Sequence, residues 1–205
     1  MSVKRTIFKY LFEFVIVFAG VFCAFLLNEY KDRKAEEARK REVYQAIYED
    51  LMSFYESGKR ENAKGFLMTL KANDMQMDSL IADRNLPSKY NLYGDYWQIL
   101  IINSLMNSGV LKEIDIQTFK KISKFYSVHQ NFLMGVEDFN EFYGQNITAN
   151  FDKGIDYYYK PGTDELKDRF VYLQYVFEGL ENLAEILVDG AYKIAQEIKE
   201  EHLQE

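Results

Sequence analysis

The sequence predicts an all-α protein: an N-terminal transmembrane helix continues as a polar stalk into a helical bundle that ends in a long C-terminal amphipathic helix. Three observations carry this. Residues 14–27, FVIVFAGVFCAFLL, form an uncharged apolar run near the N-terminus. Two prolines and 11 glycines in 205 residues are too few for a β-sandwich, which needs a turn signal roughly every 8–12 residues. Apolar residues also recur at helical spacing through most of the remaining chain.

Residues 1–6 are a short basic tail carrying Lys4 and Arg5. Residues 7–27 are the predicted transmembrane helix. These 21 residues are interrupted only by Lys9 and Glu13, and at about 1.5 Å per residue they span roughly 31 Å, one hydrocarbon thickness. A cleaved signal peptide has a shorter apolar core and a small-residue cleavage site. Here the run is followed instead by Asn28-Glu29-Tyr30-Lys31-Asp32-Arg33-Lys34, a stop-transfer flank. Phe22 before Cys23 also lacks the small side chain that lipoprotein processing needs. Glu13 is ionisable at a place where charge is costly, which by default marks function. Its position near the start of the span also allows it to pair with Lys9 at i−4 while Lys9 snorkels. Gly20 with Ala24, and Ala19 with Cys23, are small-xxx-small pairs that offer a face for close helix contact.

Residues 28–42, NEYKDRKAEEARKRE, have almost no apolar side chain and no Pro or Gly. Acidic and basic residues recur at i+3 and i+4, which reads as a solvated helix leaving the membrane. A stalk of this length holds the remaining domain about 22 Å off the bilayer. That domain, residues 43–205, opens on the stripe Val43, Ile47, Leu51, Phe54, and Gly58 permits a break. A second helix carries Phe66, Leu67, Leu70, Met77, Leu80 and Ile81 to about Arg84, before Pro87. After Asp95, a candidate cap, YWQILIINSLMNSG is apolar almost all round and is expected to be the most buried element; Gly109 closes it. Asp115 is positioned to cap a helix with Phe119, Ile122, Tyr126, Leu133, Val136, Phe139 and Tyr143, fading near Asn150. Residues 151–163, FDKGIDYYYKPGT, read as a surface loop or a short extended piece with an aromatic edge.

The final helix has the clearest pattern: Leu166, Phe170, Leu173, Phe177, Leu180, Ala184, Leu187, Ala191, Ile194 and Ile198 keep a 4–3 spacing without a miss. That describes a coiled-coil seam, or the same stripe packed within its own chain. The other amphipathic helices favour the intramolecular bundle, with extension into an oligomer contact.

Charge limits the function classes. Residues 1–41 carry a net +4 and residues 42–205 a net −11, so a phosphate backbone is repelled and nucleic acid is excluded as a partner. The basic part flanks the predicted span, where anionic headgroups attract it. Counting Lys and Arg alone places the domain in the cytoplasm. The interspersed acids weaken that field, and a short basic tail before an anchor also suits export of the C-terminal side. Both orientations stay open.

Catalytic and metal signatures are missing. There is one cysteine, no H-E-x-x-H and no glycine-rich phosphate loop. A Glu-x-x-His metal pair is excluded because Tyr126 precedes His129 and Lys199 precedes His202. His129 reads as structural or surface, and His202 as solvated in a terminal tail. Trp97, Tyr96 and Tyr93 read as core aromatics before pocket residues. No catalytic, cofactor-binding or metal residue is assigned, and no cofactor is expected.

The stretch Glu13-Phe14-Val15-Ile16-Val17-Phe18-Ala19-Gly20-Val21, then Ala24 and Leu27-Asn28-Glu29-Tyr30, resembles the anchor of a family of small, uncharacterised single-pass membrane proteins of Bacteroidota-type bacteria. That anchor runs Glu, an Ile/Val run, Gly, an aliphatic run with Ala, then Asn-x-Trp, and Tyr30 stands where Trp is usual. Trp97 to Gly109, Leu111, Ile114 and the run from Phe119 to Tyr126 are similar to the family's later part. The resemblance implies location and architecture, in the bacterial inner (cytoplasmic) membrane, and a glutamate at position 13.

The resulting expectation is a membrane-anchored, non-enzymatic interaction or scaffold protein that self-associates, with the lipid bilayer and a homo-oligomer or partner membrane protein as its partners. Two alternatives remain. One is an oligomeric membrane effector or channel accessory that uses Glu13 within the span. The other is a small-ligand sensor with a pocket among Trp97 and residues 157–159.

Overall fold

The computed structural model describes residues 3–92, 97–109 and 114–204, with side chains from Phe14 onward. It is all-α, with five α-helices among the described residues: α1 (Val3–Gly58), α2 (Phe66–Ala82), α3 (Leu100–Ser108), α4 (Ile116–Asn146) and α5 (Val176–Ile198). The chain divides within α1 into two compact units, Met1–Val43 and Tyr44–Glu205.

In the first unit the side chains of residues 14–27 are exposed. Phe14, Phe18 and Phe22 stack along one edge at i, i+4, with centroids 6.2 and 6.3 Å apart. The polar stretch after them carries the expected i, i+4 pairs: Asn28 donates to Asp32 at 3.0 Å, Lys40 meets Glu36 at 2.8 Å and Arg33 meets Glu29 at 3.8 Å. Such exposed pairs support a helix only weakly.

The second unit is a bundle around an aromatic core. Its stretch of α1 buries Tyr44, Ile47, Leu51 and Phe54. Phe54 packs on Phe66 of α2 (5.1 Å) and edge-on against Phe125 of α4 (5.7 Å), and Trp97 meets Phe132 at 5.4 Å. α4 and α5 run antiparallel along each other: Lys121 pairs with Glu197, and Phe139 meets Phe177 at 5.0 Å. Gly135 lets them close, since a Cβ there would sit 3.0 Å from Leu180 Cδ2.

Asp115 caps α4 as expected, its Oδ1 accepting from the N–H groups of Gln117 (2.8 Å) and Thr118 (3.0 Å). Gly109 ends α3 at φ 75°. Several expectations are corrected. The buried face of α4 is Thr118, Ile122, Phe125, His129, Phe132, Val136, Phe139 and Tyr143, itself a 4–3 stripe. Phe119, Tyr126 and Leu133 are only half-buried. The helix is turned so that Phe125, His129 and Phe132 meet the rings of Phe54, Phe66 and Trp97, which long-range packing decides.

α3 is not the most buried helix: only Ile102 is buried in it, and Leu100 is 69% exposed. No side chain at its own N-terminus caps it. Asp50 of α1 accepts from the N–H of Ile102 at 2.9 Å and does that work from a distant part of the chain. Burial raises the Asp50 carboxyl above the ordinary carboxylate range, opposed by hydrogen bonds from Ile102 and Ile101. Asp95, Gly94, Tyr93 and Tyr96, and Leu111 of the family resemblance, lie outside the described residues.

The last helix begins at Val176, not at Leu166. Leu166 forms an isolated antiparallel bridge with Tyr159, and Phe170 and Leu173 sit on a 3-10 segment, Asp168–Gln174. The bridge takes the Lys167 N–H to the carbonyl of Tyr158 at 2.9 Å, so the chain is extended there. A 3-10 turn keeps i and i+3 on one face, so the apolar spacing survives a different backbone.

Residues 151–163 are mostly exposed, and Tyr159 takes the extended backbone of the bridge to Leu166, but two of their tyrosines are buried. Tyr158 and Tyr159 are each 1% exposed, and their hydroxyls donate to the carbonyls of Ile147 and Ile81, both at 2.9 Å. Arg84 pins this segment. It adopts φ 51° at the end of α2, and its guanidinium lies 4.6 Å over the Tyr159 ring and 2.6 Å from Asp156. A non-glycine residue in the left-handed region is strained, and these contacts hold it there.

Candidate functional site

The antiparallel α4–α5 pair leaves a groove of about 280 Å³ on its outer side. The floor is apolar: Phe125 from α4, with Leu187 and Ile194 from α5, all buried. Val128 and the exposed Ile186 form the walls, and Gly190 leaves the centre open. The rim is basic, with Lys121 and Lys124 one helical turn apart on α4 and Lys193 on α5. Glu197 is the one acid lining the groove, and it is bound to Lys121 at 2.7 Å. That hydrogen bond holds the Lys121 ammonium above its ordinary range. Lys124 and Lys193 have no ion-pair partner among the described residues.

Beyond the Lys121 end of this groove, Tyr44, Asp115 and His202 converge. The Tyr44 hydroxyl donates to Asp115 Oδ2 and accepts from the Asp115 N–H, both at 3.0 Å. The His202 ring lies flat on Tyr44, with centroids 3.9 Å apart and planes 5° from parallel. Its Nε2 lies 3.3 Å from Asp115 Oδ2 but off hydrogen-bond geometry. Partial burial works to raise the Asp115 carboxyl. Hydrogen bonds from Thr118, Tyr44 and Gln117 outweigh it and bring the pKa down to about 2. Desolvation raises Tyr44; the hydrogen bond from the Asp115 N–H opposes this, and the Asp115 carboxylate adds to it. His202 is therefore only partly exposed: the π-helical turn Lys199–Leu203 prolongs α5 far enough to set its ring between the start of the second unit and the cap of α4.

His129 is a third polar element and is structural. It is 1% exposed, with Nε2 2.7 Å from the Trp97 carbonyl. Burial depresses its pKa, and the bond to Trp97 opposes that shift only partly, so the ring is neutral and donates from Nε2. Nδ1 has no partner.

The residues singled out from sequence fall into three groups. Lys9 and Glu13 lie outside the residues with described side chains. Ala19, Gly20, Cys23 and Ala24 are exposed on α1, and a Cβ at Gly20 would meet nothing within 4 Å. The ten positions of the C-terminal stripe are all buried in the second unit, and two of them, Leu187 and Ile194, floor the groove. Of Trp97 and residues 157–159, expected as possible pocket residues, Trp97, Tyr158 and Tyr159 are core and Tyr157 is half-buried.

Sequence reading missed the groove residues Lys121, Lys124, Gly190 and Lys193. The available signal was Lys120, Lys121 and Lys124 in a stretch, residues 116–136, that carries no acid although the domain around it is acidic, together with a glycine inside a strongly amphipathic later helix. Among the described residues no three His, Cys, Asp or Glu side chains converge as a metal site would require. Among the described residues one helix is long and apolar enough to cross a membrane, near the N-terminus, with none of its apolar window buried. No protein-family model, curated protein or solved structure matches the chain, so its site is defined by its own geometry.

Proposed function

We propose that this chain is a membrane-anchored, non-enzymatic interaction protein of a bacterial inner membrane. Residues 7–27 are its single-pass anchor, and the unit Tyr44–Glu205 is the part that recruits or senses a partner. The observation that supports this reading is the complete exposure of residues 14–27, which include Phe14, Val17, Phe18, Phe25 and Leu27, each at least 61% exposed. An apolar surface of this extent is unfavourable in water by about 25 cal/mol per Å², and a bilayer removes that cost.

Self-association belongs to the same proposal and rests on Ala19, Gly20, Cys23 and Ala24, because the C-terminal stripe is spent inside the fold. Cys23 is the chain's only cysteine and reports on this contact directly. In isolated membranes the protein is expected to resist alkaline carbonate extraction. Mild oxidation is expected to link two copies through Cys23, and Gly20→Leu to abolish the link. Release by carbonate sinks the anchor. A protein that stays in the membrane but never cross-links sinks self-association alone.

A further inference from the structure

We propose that the α4–α5 groove binds a single-chain anionic amphiphile of the fatty-acid class. Its hydrocarbon lies on Phe125, Leu187 and Ile194, and its carboxylate is held at the rim by Lys124 and Lys193. Volume, charge and the choice of residue at one position all lead there.

At about 280 Å³ the groove stands at the small end of ligand cavities, which begin near roughly 300 Å³. It takes one acyl chain and has no room for the two of a diacyl lipid. Residues 42–205 carry a net −11, yet the rim holds three lysines against one carboxylate. Glu197 neutralises Lys121, which leaves Lys124 and Lys193 for a ligand. A small anion is drawn to that pair, and a polyanion is turned away by the acidic surroundings. Ammonium groups at the mouth of an apolar slot match a carboxylate head on a hydrocarbon chain.

Gly190 provides the third argument. Glycine within a helix is destabilising relative to alanine. Packing does not require it at this position, since a Cβ would meet only Phe125 Cδ2, at an ordinary 3.8 Å. What glycine preserves is the open volume of the groove.

The test uses the full chain in phosphatidylcholine vesicles, with a diazirine-bearing palmitate as probe and mass-spectrometric mapping of the labelled peptides. Label is expected on two sets of peptides: those containing Phe125 and Val128 or Ile186 and Ile194, and those of residues 14–27. Gly190→Leu fills the groove while improving helix propensity. It should remove label from the groove peptides and leave it on residues 14–27. Lys124→Glu with Lys193→Glu alters only exposed side chains and should weaken groove labelling about tenfold, as should replacing the palmitate by the matching neutral alcohol. The proposal is overturned if groove peptides stay unlabelled while residues 14–27 label, or if Gly190→Leu changes nothing. It is equally overturned if the alcohol labels the groove as well as the acid does and the lysine variants have no effect. Loss of label on residues 14–27 alone counts against the anchor and leaves the groove result standing.

Discussion

Gly58 tests how closely α1 meets the rest of the bundle. It lies at the end of α1 with helical backbone, so its lack of a side chain is not used for a left-handed turn. An added Cβ would sit 2.5 Å from Phe66 Cε1 and 2.6 Å from Val188 Cγ2, where carbon contacts normally fall at about 3.5–4.0 Å. Phe66 and Val188 are 0% and 3% exposed, so neither can yield outward. Two effects oppose each other in Gly58→Ala. Helix propensity favours alanine by at most about 1 kcal/mol, less at a helix end. Overlap of about 1 Å with two enclosed side chains costs about 1–3 kcal/mol. Overlap wins, and the variant should lose about 1–2 kcal/mol, or about 2–4 °C in Tm per kcal/mol for a domain of this size. Gly144→Ala is the control: it is helical, nothing lies within 4 Å of the added carbon, and it should gain a few tenths of a kcal/mol. The assay is thermal and urea unfolding of the full chain in one detergent, monitored by far-UV circular dichroism. If Gly58→Ala is as stable as the parent, the close approach of α1 to α2 and α5 is wrong.

The buried and capping groups set two pH dependences. His129 has a folded-state pKa depressed by burial below its ordinary 6.5, so the unfolded chain takes up a proton first as pH falls. Stability should therefore decline below about pH 6.5, and His129→Gln, which keeps a donor for the Trp97 carbonyl, should flatten that decline; an unchanged slope in urea midpoints counts against a buried neutral ring. Asp115 is lowered from 3.8 to about 2, so its contribution is complete above pH 3.8 and is lost as pH falls towards 2. Asp115→Asn keeps the cap but puts an amide donor where Oδ2 accepted from the Tyr44 hydroxyl, so it should be less stable than the parent by about 1–2 kcal/mol at pH 7 and lose less between pH 4 and 2; a parallel acid profile refutes the assignment.

Much of the architecture was legible because it depends on local chemistry. The apolar run at 14–27, the charged stretch after it, the Asp115 cap and the Gly109 stop each rest on residues a few positions apart. They came through unchanged. The apolar stripe from Leu166 to Ile198 was also right about burial and wrong about backbone, because α and 3-10 turns both bring i and i+3 to one face.

Other features depended on partners distant in sequence. Asp50 caps α3 across 52 positions, and Arg84 holds a left-handed turn through groups beyond residue 155. His202 returns from the C-terminus to stack on Tyr44. The rotation of α4 that buries His129 answers to rings on three other segments. The groove belongs to the same class: Lys124 and Lys193 are 69 positions apart, and only the antiparallel docking of α4 on α5 puts them on one rim. Periodicity and capping are properties of a segment and can be read along the chain. A cavity, a remote cap or a shared charge cluster exists only once two segments have met, and which faces meet is decided by the packing energy of the whole core.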